Sequence, residues 1–351
     1  PRLVNFVTQT PGLSSIAKAM AGMAQERQIP RFASRTFTSW FRERAPKNVG
    51  AQRVLLWPDT FNNFFYPATL AAALEVLEDA GFQVIVPEQS LCCGRPLYDF
   101  GMLPQAKRQL QQILRVLEPE IAAGTPLVGL EPSCVTVFRD EMVGLFPADQ
   151  VAHRLFTQTF LFGDFLATHA PDYTIPELHR KALVHGHCHH KAVIKMDGEE
   201  KVLKAMGLDY QLLNDGCCGM AGSFGFEADK YDVSIAAGER VMLPAVRGAD
   251  EDTLIITDGF SCREQIRECT DRTAVHVAEV LQLALHQQRL NGTATKKPEV
   301  QVAHLAPKAL AEPTTAPVRT ALIAGASLAA AGLLVRFLQK RKSQGNPNVR
   351  A

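Results

Sequence analysis

Cysteine side chains are concentrated at two places in this chain. Cys92-Cys93-Gly94 and Cys217-Cys218-Gly219 repeat one tripeptide. Adjacent cysteines are poor disulfide partners, because the bond between them departs far from relaxed disulfide geometry. Two thiolates side by side on a tight turn suit a metal ion or an iron–sulfur cluster better. Each pair therefore predicts part of a metal-binding site.

The second pair has a full set of companions. Four thiols, which we predict to bind a cofactor, make up this second set: Cys188, Cys217, Cys218 and Cys262. Four soft thiolates suit a [4Fe–4S] cluster, our first expectation, or a tetrahedral zinc ion. Imidazoles flank Cys188 in the segment His185-Gly-His-Cys-His-His190, where they are expected to donate hydrogen bonds, shuttle protons or ligate metal. The alternative is four buried, inert thiols.

The first set is incomplete. It contains Cys92, Cys93 and Cys134, and the place corresponding to Cys188 falls in the segment 57–60, which has no cysteine. Asp59 in that segment is a candidate oxygen ligand, although an aspartate at a strand end is more often a helix cap or turn residue. Three thiolates and Asp59 could hold zinc or a cluster with one labile iron. An empty, degenerate site is equally consistent with the sequence.

Strands that alternate with helices must position these cysteines. Predicted strands cover Arg53–Trp57, Phe82–Val86, Pro126–Leu130, Lys181–Val184, Tyr210–Leu213 and Thr253–Thr257. Predicted helices include Pro67–Ala80, Pro104–Ala123 and Glu199–Met206, and glycines at 81 and 207 are expected to end the first and last of these. This alternation predicts an α/β fold with parallel sheets, in which ligand sites gather at the carboxyl ends of strands.

The same order of elements occurs twice. Cys92 corresponds to Cys217 and Cys134 to Cys262, and the helix-ending glycines follow a similar offset. We therefore predict an internal duplication with two Rossmann-like halves. The expected segments are a helical connector at 1–50, a degenerate first repeat at 51–175, a second repeat at 176–290, a linker at 291–320 and a hydrophobic helix at 321–342.

Composition narrows the class of function. The net charge is +1 and the basic residues are dispersed, so no nucleic-acid partner is expected. Eight cysteines among 351 residues are too few for a disulfide scaffold, and their clustering points to metal chemistry in a reducing compartment.

An apolar segment near the C-terminus raises the question of a membrane. Residues 321–335 lack charge, and Arg336, Lys340, Arg341 and Lys342 follow. Fifteen residues at ~1.5 Å each give about 22 Å, short of the ~30 Å hydrocarbon core. We expect a weak tail anchor or a helix lying on the membrane or on a partner, and a location at the cytoplasmic side of the cell membrane.

Several short sequence segments resemble those of one known family. They are Leu55-Leu-Trp-Pro-Asp-Thr-Phe61, Cys92-Cys-Gly-Arg-Pro-Leu-Tyr98, Leu130-Glu-Pro-Ser-Cys134, His185-Gly-His-Cys-His189 and Cys217-Cys-Gly-Met-Ala-Gly222. Over residues 27–285 the chain resembles the cysteine-rich CCG domain family, whose members include one of the subunits of heterodisulfide reductase and the iron–sulfur subunit of glycolate oxidase. In particular it resembles the C-terminal part of fused FAD-linked D-2-hydroxyacid dehydrogenases of the D-lactate or D-2-hydroxyglutarate type.

The resemblance implies a role in electron transfer. An iron–sulfur module of this type would relay electrons from a FAD-containing domain or subunit and a ferredoxin-like module toward quinone or another carrier. The family's fullest motif closes with Cys-x-x-Cys, whereas Glu131 and Gly259 stand at the corresponding places here. This departure disfavours the noncubane clusters of heterodisulfide reductase. A zinc-stabilised assembly domain and a cluster-based thiol–disulfide reductase are the alternatives. No catalytic residue is predicted, and FAD is expected only on a partner or an upstream domain.

Overall fold

A computed structural model describes residues 1–287 and 297–310. The N-terminal segment contributes helices α1 (Arg2–Gln9), α2 (Leu13–Met20) and α3 (Phe37–Phe41). The first repeat follows with β1 (Arg53–Leu56), α4 (Thr60–Phe64), α5 (Pro67–Asp79), β2 (Gln83–Ile85), α6 (Arg95–Asp99), α7 (Leu103–Ala122), β3 (Leu127–Gly129), α8 (Pro132–Thr136), α9 (Met142–Leu145), α10 (Gln150–Gln158), β4 (Thr159–Leu161) and α11 (Phe162–His169).

The second repeat has a matching order. Its elements are β5 (Lys181–Val184), α12 (Asp197–Ala205), β6 (Asp209–Leu212), α13 (Tyr231–Glu239), α14 (Met242–Gly248), β7 (Leu254–Ile256), α15 (Phe260–Cys269) and α16 (Val277–His286). A last helix, α17 (Pro298–Leu305), follows. Two π-helical turns, Val137–Glu141 and His190–Ile194, lie soon after Cys134 and Cys188. Such turns often occur at functional sites.

Both sheets are parallel, as predicted. The strand order is β2-β1-β3-β4 in the first sheet and β6-β5-β7 in the second. A parallel bridge between Ile256 and Val275 lies beside β7, where β4 lies beside β3 in the first sheet. Most residues of the central strands are buried, because helices cover both faces of a parallel sheet. The six predicted strands are confirmed, whereas the three-residue strand β4 had no counterpart in the prediction.

Helices of the two repeats pack against each other around one core. Helix α5 packs on α16, and α12 packs on α11. The α11–α12 contact is close, because a Cβ on Gly163 would lie 3.0 Å from the Cα of Glu199. The largest hydrophobic cluster therefore contains residues of both sheets, such as Val54 and Val184. The two repeats form one body, with strand ends of both repeats close to their junction.

The N-terminal segment is tied to the second repeat by Arg27. This side chain is 1% exposed, and its Nε donates to the carbonyl of Gly225 at 2.7 Å. Its Nη atoms donate to Ser234 Oγ at 2.8 Å and to Glu268 Oε2 at 3.0 Å. Because Gly225 belongs to the loop that follows Cys217 and Cys218, this segment stabilises the second cysteine set.

The predicted linker at 291–320 contains packed structure where it is described. Helix α17 packs on α16, and Val302 and Leu310 join the hydrophobic core. Arg272 Nε donates to Glu299 Oε1 at 2.8 Å. These apolar and charged contacts give residues 297–310 a buried face, so the linker interpretation is wrong for them.

No helix within the described residues combines the length and hydrophobicity needed to cross a bilayer. The predicted hydrophobic helix at 321–342 lies outside the described residues.

Candidate metal centre

The second cysteine set assembles at the carboxyl ends of three strands. Cys188 begins a helical turn four residues after the end of β5, Cys217 and Cys218 follow β6, and Cys262 lies in the first turn of α15 after β7. Neighbouring thiols interact in series, Cys188 with Cys217, Cys217 with Cys218, and Cys218 with Cys262. The structure therefore brings together all four residues predicted for this site. Cluster ligation by them stays a prediction.

Gly219 fixes the turn that holds the cysteine pair. Its φ is +93°, a left-handed conformation that favours glycine. A Cβ at this position would lie 2.0 Å from the carbonyl oxygen of Ser234, a distance that no side chain tolerates. The N–H of Gly219 donates to Cys217 Sγ at 3.3 Å. The turn thus points one backbone N–H group at sulfur.

A histidine–aspartate pair lies beside Cys262 and stabilises its thiolate form. His185 lies against this thiol and pairs through Nδ1 with Asp215, whose Oδ1 accepts from Lys191 Nζ at 2.6 Å. Burial opposes charge on His185, but the Cys262 thiolate and Asp215 together raise the pKa of His185 to about 9. An imidazolium beside Cys262 stabilises negative charge on sulfur.

The thiol pKa values alternate along the second set. The hydrogen bond from Cys188 lowers the pKa of Cys217, and the hydrogen bond from Cys218, with the nearby His185, lowers that of Cys262. The pKa values of Cys188 and Cys218 are raised, first by their hydrogen bonds to Cys217. Cys217 is exposed and Cys188 is half-buried, whereas the other two thiols are buried. The set therefore favours anionic sulfur at Cys217 and Cys262, and it reaches from the protein surface into the core.

Two further imidazoles flank Cys188. His187 Nδ1 accepts from the N–H of His189 at 3.2 Å, and Cys188 Sγ lies 3.7 Å from His189 Nδ1. One donor atom from each of these three residues lies within 4.8 Å of the others. Burial lowers the pKa of His187 to about 3, so this ring is neutral. The geometry suits either hydrogen bonding around the sulfurs or metal ligation, as the sequence left open.

The first set has the same scaffold with one thiol fewer. Cys93 Sγ lies 3.0 Å from Cys134 Sγ, and the thiol of Cys92 interacts with Cys93 and with the Thr60 side chain. Thr60 begins α4 four residues after the end of β1, as Cys188 begins its helical turn four residues after the end of β5. Thr60 is therefore the structural counterpart of Cys188, which narrows the predicted correspondence from the segment 57–60 to one residue.

Asp59 is engaged as a helix cap. Its Oδ1 accepts from the N–H of Asn62 at 2.9 Å, and its Oδ2 accepts from the Asn62 side-chain amide at 2.8 Å. Burial, with the carboxylate of Glu131 nearby, raises the pKa of Asp59 to about 7. Metal ligation by Asp59 stays a prediction and would compete with these two hydrogen bonds.

Glu131 links the two cysteine sets, a role that sequence reasoning missed. Its Oε2 accepts from the N–H of Phe260 at 2.7 Å, across the repeat junction and two residues before Cys262. Its Oε1 accepts from Ser133 Oγ at 2.7 Å, one residue before Cys134. Glu131 stands where the family's fullest motif has a cysteine, and that departure was the available signal.

A cavity of about 440 Å³ opens beside Cys92. Its lining includes Arg108 and Gln109, and the Gln109 side chain donates to the carbonyl of Cys92 at 2.9 Å. Cys92 is therefore accessible from this side, whereas Cys93 and Cys134 are buried.

Comparisons with known proteins agree with this geometry. The family described as "Cysteine-rich domain" (CCG) matches residues 59–139 and 184–267, one match in each repeat. The chain is 25% identical over 296 residues to a subunit of anaerobic glycerol-3-phosphate dehydrogenase of Escherichia coli K12, a match covering 81% of this chain and 72% of that protein. It is 27% identical over 300 residues to D-2-hydroxyglutarate dehydrogenase of Pseudomonas putida, covering 80% of this chain and 28% of that protein.

The match to a third relative covers most of that protein. The chain is 30% identical over 224 residues to lactate utilization protein A of Bacillus velezensis, a match covering 60% of this chain and 90% of that protein.

Proposed function

This chain belongs to the family of cysteine-rich CCG domain proteins, and from that premise we propose that it is an iron–sulfur electron-transfer module of a FAD-linked D-2-hydroxyacid dehydrogenase. Its relatives include dehydrogenases and one part of a multi-subunit dehydrogenase, which supports a role within an oxidoreductase. The chain spans only 28% of the D-2-hydroxyglutarate dehydrogenase that it resembles. The flavin chemistry is therefore assigned to a partner or to another domain.

The serial contact of four thiols from three strand-end loops carries the proposal. Cys188, Cys217, Cys218 and Cys262 would hold the cluster, because four thiolates are the usual ligand set of a [4Fe–4S] centre. Two of them have lowered pKa values in the protein, and glycine at 219 lets the backbone approach. When bound, such a cluster supplies reversible one-electron transfer.

The protein's own residues would set the properties of that centre. The N–H of Gly219 donates to Cys217 Sγ, and hydrogen bonds to sulfur tune reduction potential. His185, held by Asp215, places a positive charge next to Cys262. Both features lower the cost of negative charge on the sulfurs.

The exposed edge of the set supports exchange of electrons with partners. Cys217 reaches the surface and Cys188 is half-buried, so a cluster held by this set would lie near enough to the surface to exchange electrons with a docked partner. We propose that this edge receives electrons from a FAD-containing dehydrogenase domain or subunit and a ferredoxin-like module. It would pass them to quinone or another carrier. A location at the cytoplasmic side of the cell membrane, through residues 321–342, is part of the same proposal.

The competing function is a zinc-stabilised assembly domain. It is favoured by the close approach of His187, Cys188 and His189, a mixed nitrogen and sulfur donor set that zinc accepts. The first set is the other candidate zinc site, with Cys92, Cys93, Cys134 and Asp59 as its predicted ligands.

Metal analysis separates the two functions. The anaerobically purified chain should contain iron and acid-labile sulfide, and dithionite should change its electron paramagnetic resonance (EPR) spectrum. Zinc without iron, or iron that dithionite does not reduce, would eliminate the electron-transfer function.

A further inference from the structure

A second group of ligand-type side chains is buried behind the second cysteine set. His190 begins the π-helical turn two residues after Cys188, and Asp258 lies after β7, four residues before Cys262. Glu199 comes from the first turn of α12. These three side chains, which we call the buried triad, are each at most 4% exposed. One donor atom from each lies within 4.8 Å of the others.

Within the described part of the chain, the buried triad lacks a hydrogen-bond partner and a balancing positive charge. Glu199 Oε2 has no hydrogen-bond partner, and His190 Nδ1 is 3.6 Å away, beyond hydrogen-bond distance. Among the described residues, no lysine or arginine forms a hydrogen bond or ion pair with Glu199 or Asp258. The side chains of Glu199 and Asp258 interact with each other, and burial together with their mutual repulsion raises the pKa of Glu199. The pair can therefore carry both negative charges only if a cation joins it, because burial penalises each charge and the charges repel.

The neighbouring histidine does not supply the missing charge. His276 Nδ1 accepts from the N–H of Ala278 at 3.0 Å, so the proton of this ring lies on Nε2, which donates to the carbonyl of Leu130 at 3.1 Å. Nε2 also lies 3.4 Å from Asp258 Oδ1, but its hydrogen bond already goes to Leu130. Asp258 Oδ1 accepts from the N–H of Val277 at 3.0 Å, and this neutral bond leaves the carboxylate charge in place. Asp164, from α11, adds another carboxylate nearby.

We propose that His190, Glu199 and Asp258 bind a divalent first-row transition-metal ion. The 3.6 Å between His190 Nδ1 and Glu199 Oε2 matches two ligands that each lie ~2.0–2.2 Å from a shared ion. One imidazole and two carboxylates form a nitrogen and oxygen donor set of charge −2, which such an ion neutralises.

The ion would act on the cysteine set through the backbone. It would join the turn that carries Cys188 to the strand end that precedes Cys262, fixing the distance between two loops of the set. This site uses no thiol, so its existence does not depend on the proposed iron–sulfur function.

Manganese is a selective probe, because Mn²⁺ prefers oxygen and nitrogen ligands to thiolates. The full chain, with its iron–sulfur centre retained, is treated with a chelator and titrated with Mn²⁺ while EPR follows the free ion. We expect one bound equivalent. Glu199→Gln should weaken this binding at least about tenfold. Glu200→Gln is the matched control, because Glu200 is the next residue and accepts from Tyr210 instead of facing the triad.

Thermal unfolding provides a second measurement. Mn²⁺ should raise the Tm of the unchanged chain and of Glu200→Gln but not that of Glu199→Gln. If Glu199→Gln fails to fold, His190→Gln takes its place with the same expected loss. Equal Mn²⁺ binding by the unchanged chain and the triad variant would overturn the proposal. So would absence of binding to the unchanged chain, the result expected if Glu199 and Asp258 share a proton.

Discussion

Thr60 and Cys188 each begin the helix that follows the first strand of their sheet, and only one of them is a thiol. The two repeats also differ three residues earlier in the chain. His185, which pairs with Asp215 beside Cys262, corresponds to Trp57, an apolar residue of the first core. One scaffold thus carries a complete thiol set in one repeat and an incomplete set in the other.

The surroundings of the sulfurs differ in charge. Burial and the carboxylates of Asp59 and Glu131 raise the pKa of Cys134 to about 11, outweighing the hydrogen bond from Cys93 that lowers it. The equivalent Cys262 has a lowered pKa, through its hydrogen bond to Cys218 and the nearby His185. The two repeats share one fold, and a few residues around the sulfurs decide which set favours the thiolate form that binds a metal cofactor.

The largest expected contrast concerns the two turn glycines. Gly219→Ala places a Cβ 2.0 Å from the backbone oxygen of Ser234, so we expect a loss of ~3 kcal/mol or more in the free energy of unfolding. Gly94→Ala, at φ +82°, would meet only the Gln109 side chain at 3.7 Å and should cost ~1–2 kcal/mol. Chemical denaturation measures both. Equal losses would contradict the view that the second turn is the more constrained one.

A gain of function sharpens the comparison further. Thr60→Cys would complete the series Thr60–Cys92–Cys93–Cys134 as a four-thiol set, so the variant should bind up to about twice the iron of the unchanged chain. Iron and sulfide analysis after anaerobic reconstitution measures this change. Thr60→Ser is the control, since it adds no thiol. If both variants contain the same iron, the missing thiol is not what limits the first set.

Strong local patterns made much of this architecture predictable. Residues 54–56 form the buried part of β1 because they are apolar, and the repeated cysteine pair indicated both the duplication and the strand-end sites. Strand β4 runs directly from α10 into α11, so no turn residues mark its ends in the sequence. Contacts across the chain, such as Arg27 with Gly225 and Glu131 with Phe260, arise only from tertiary packing. Thr60 could be identified as the counterpart of Cys188 only from the structure, which shows equally long loops between strand and helix in the two repeats.

The smallest expected effect is at Asp59. Asn caps helices as well as Asp does, so Asp59→Asn should preserve α4 and leave the iron, sulfide and zinc contents unchanged. Metal analysis beside Cys93→Ser, which removes a thiol of the same set, measures this directly. Loss of zinc in Asp59→Asn would instead identify Asp59 as a ligand.

The central claim is that the second repeat holds the working centre. Its most direct test compares Cys188→Ser with Cys92→Ser by EPR of the dithionite-reduced protein, with iron and sulfide contents measured on the same samples. We predict that Cys188→Ser loses or strongly alters the cluster signal, because it removes one of four ligands, and that Cys92→Ser retains it. A signal that persists in Cys188→Ser and disappears in Cys92→Ser would contradict this account.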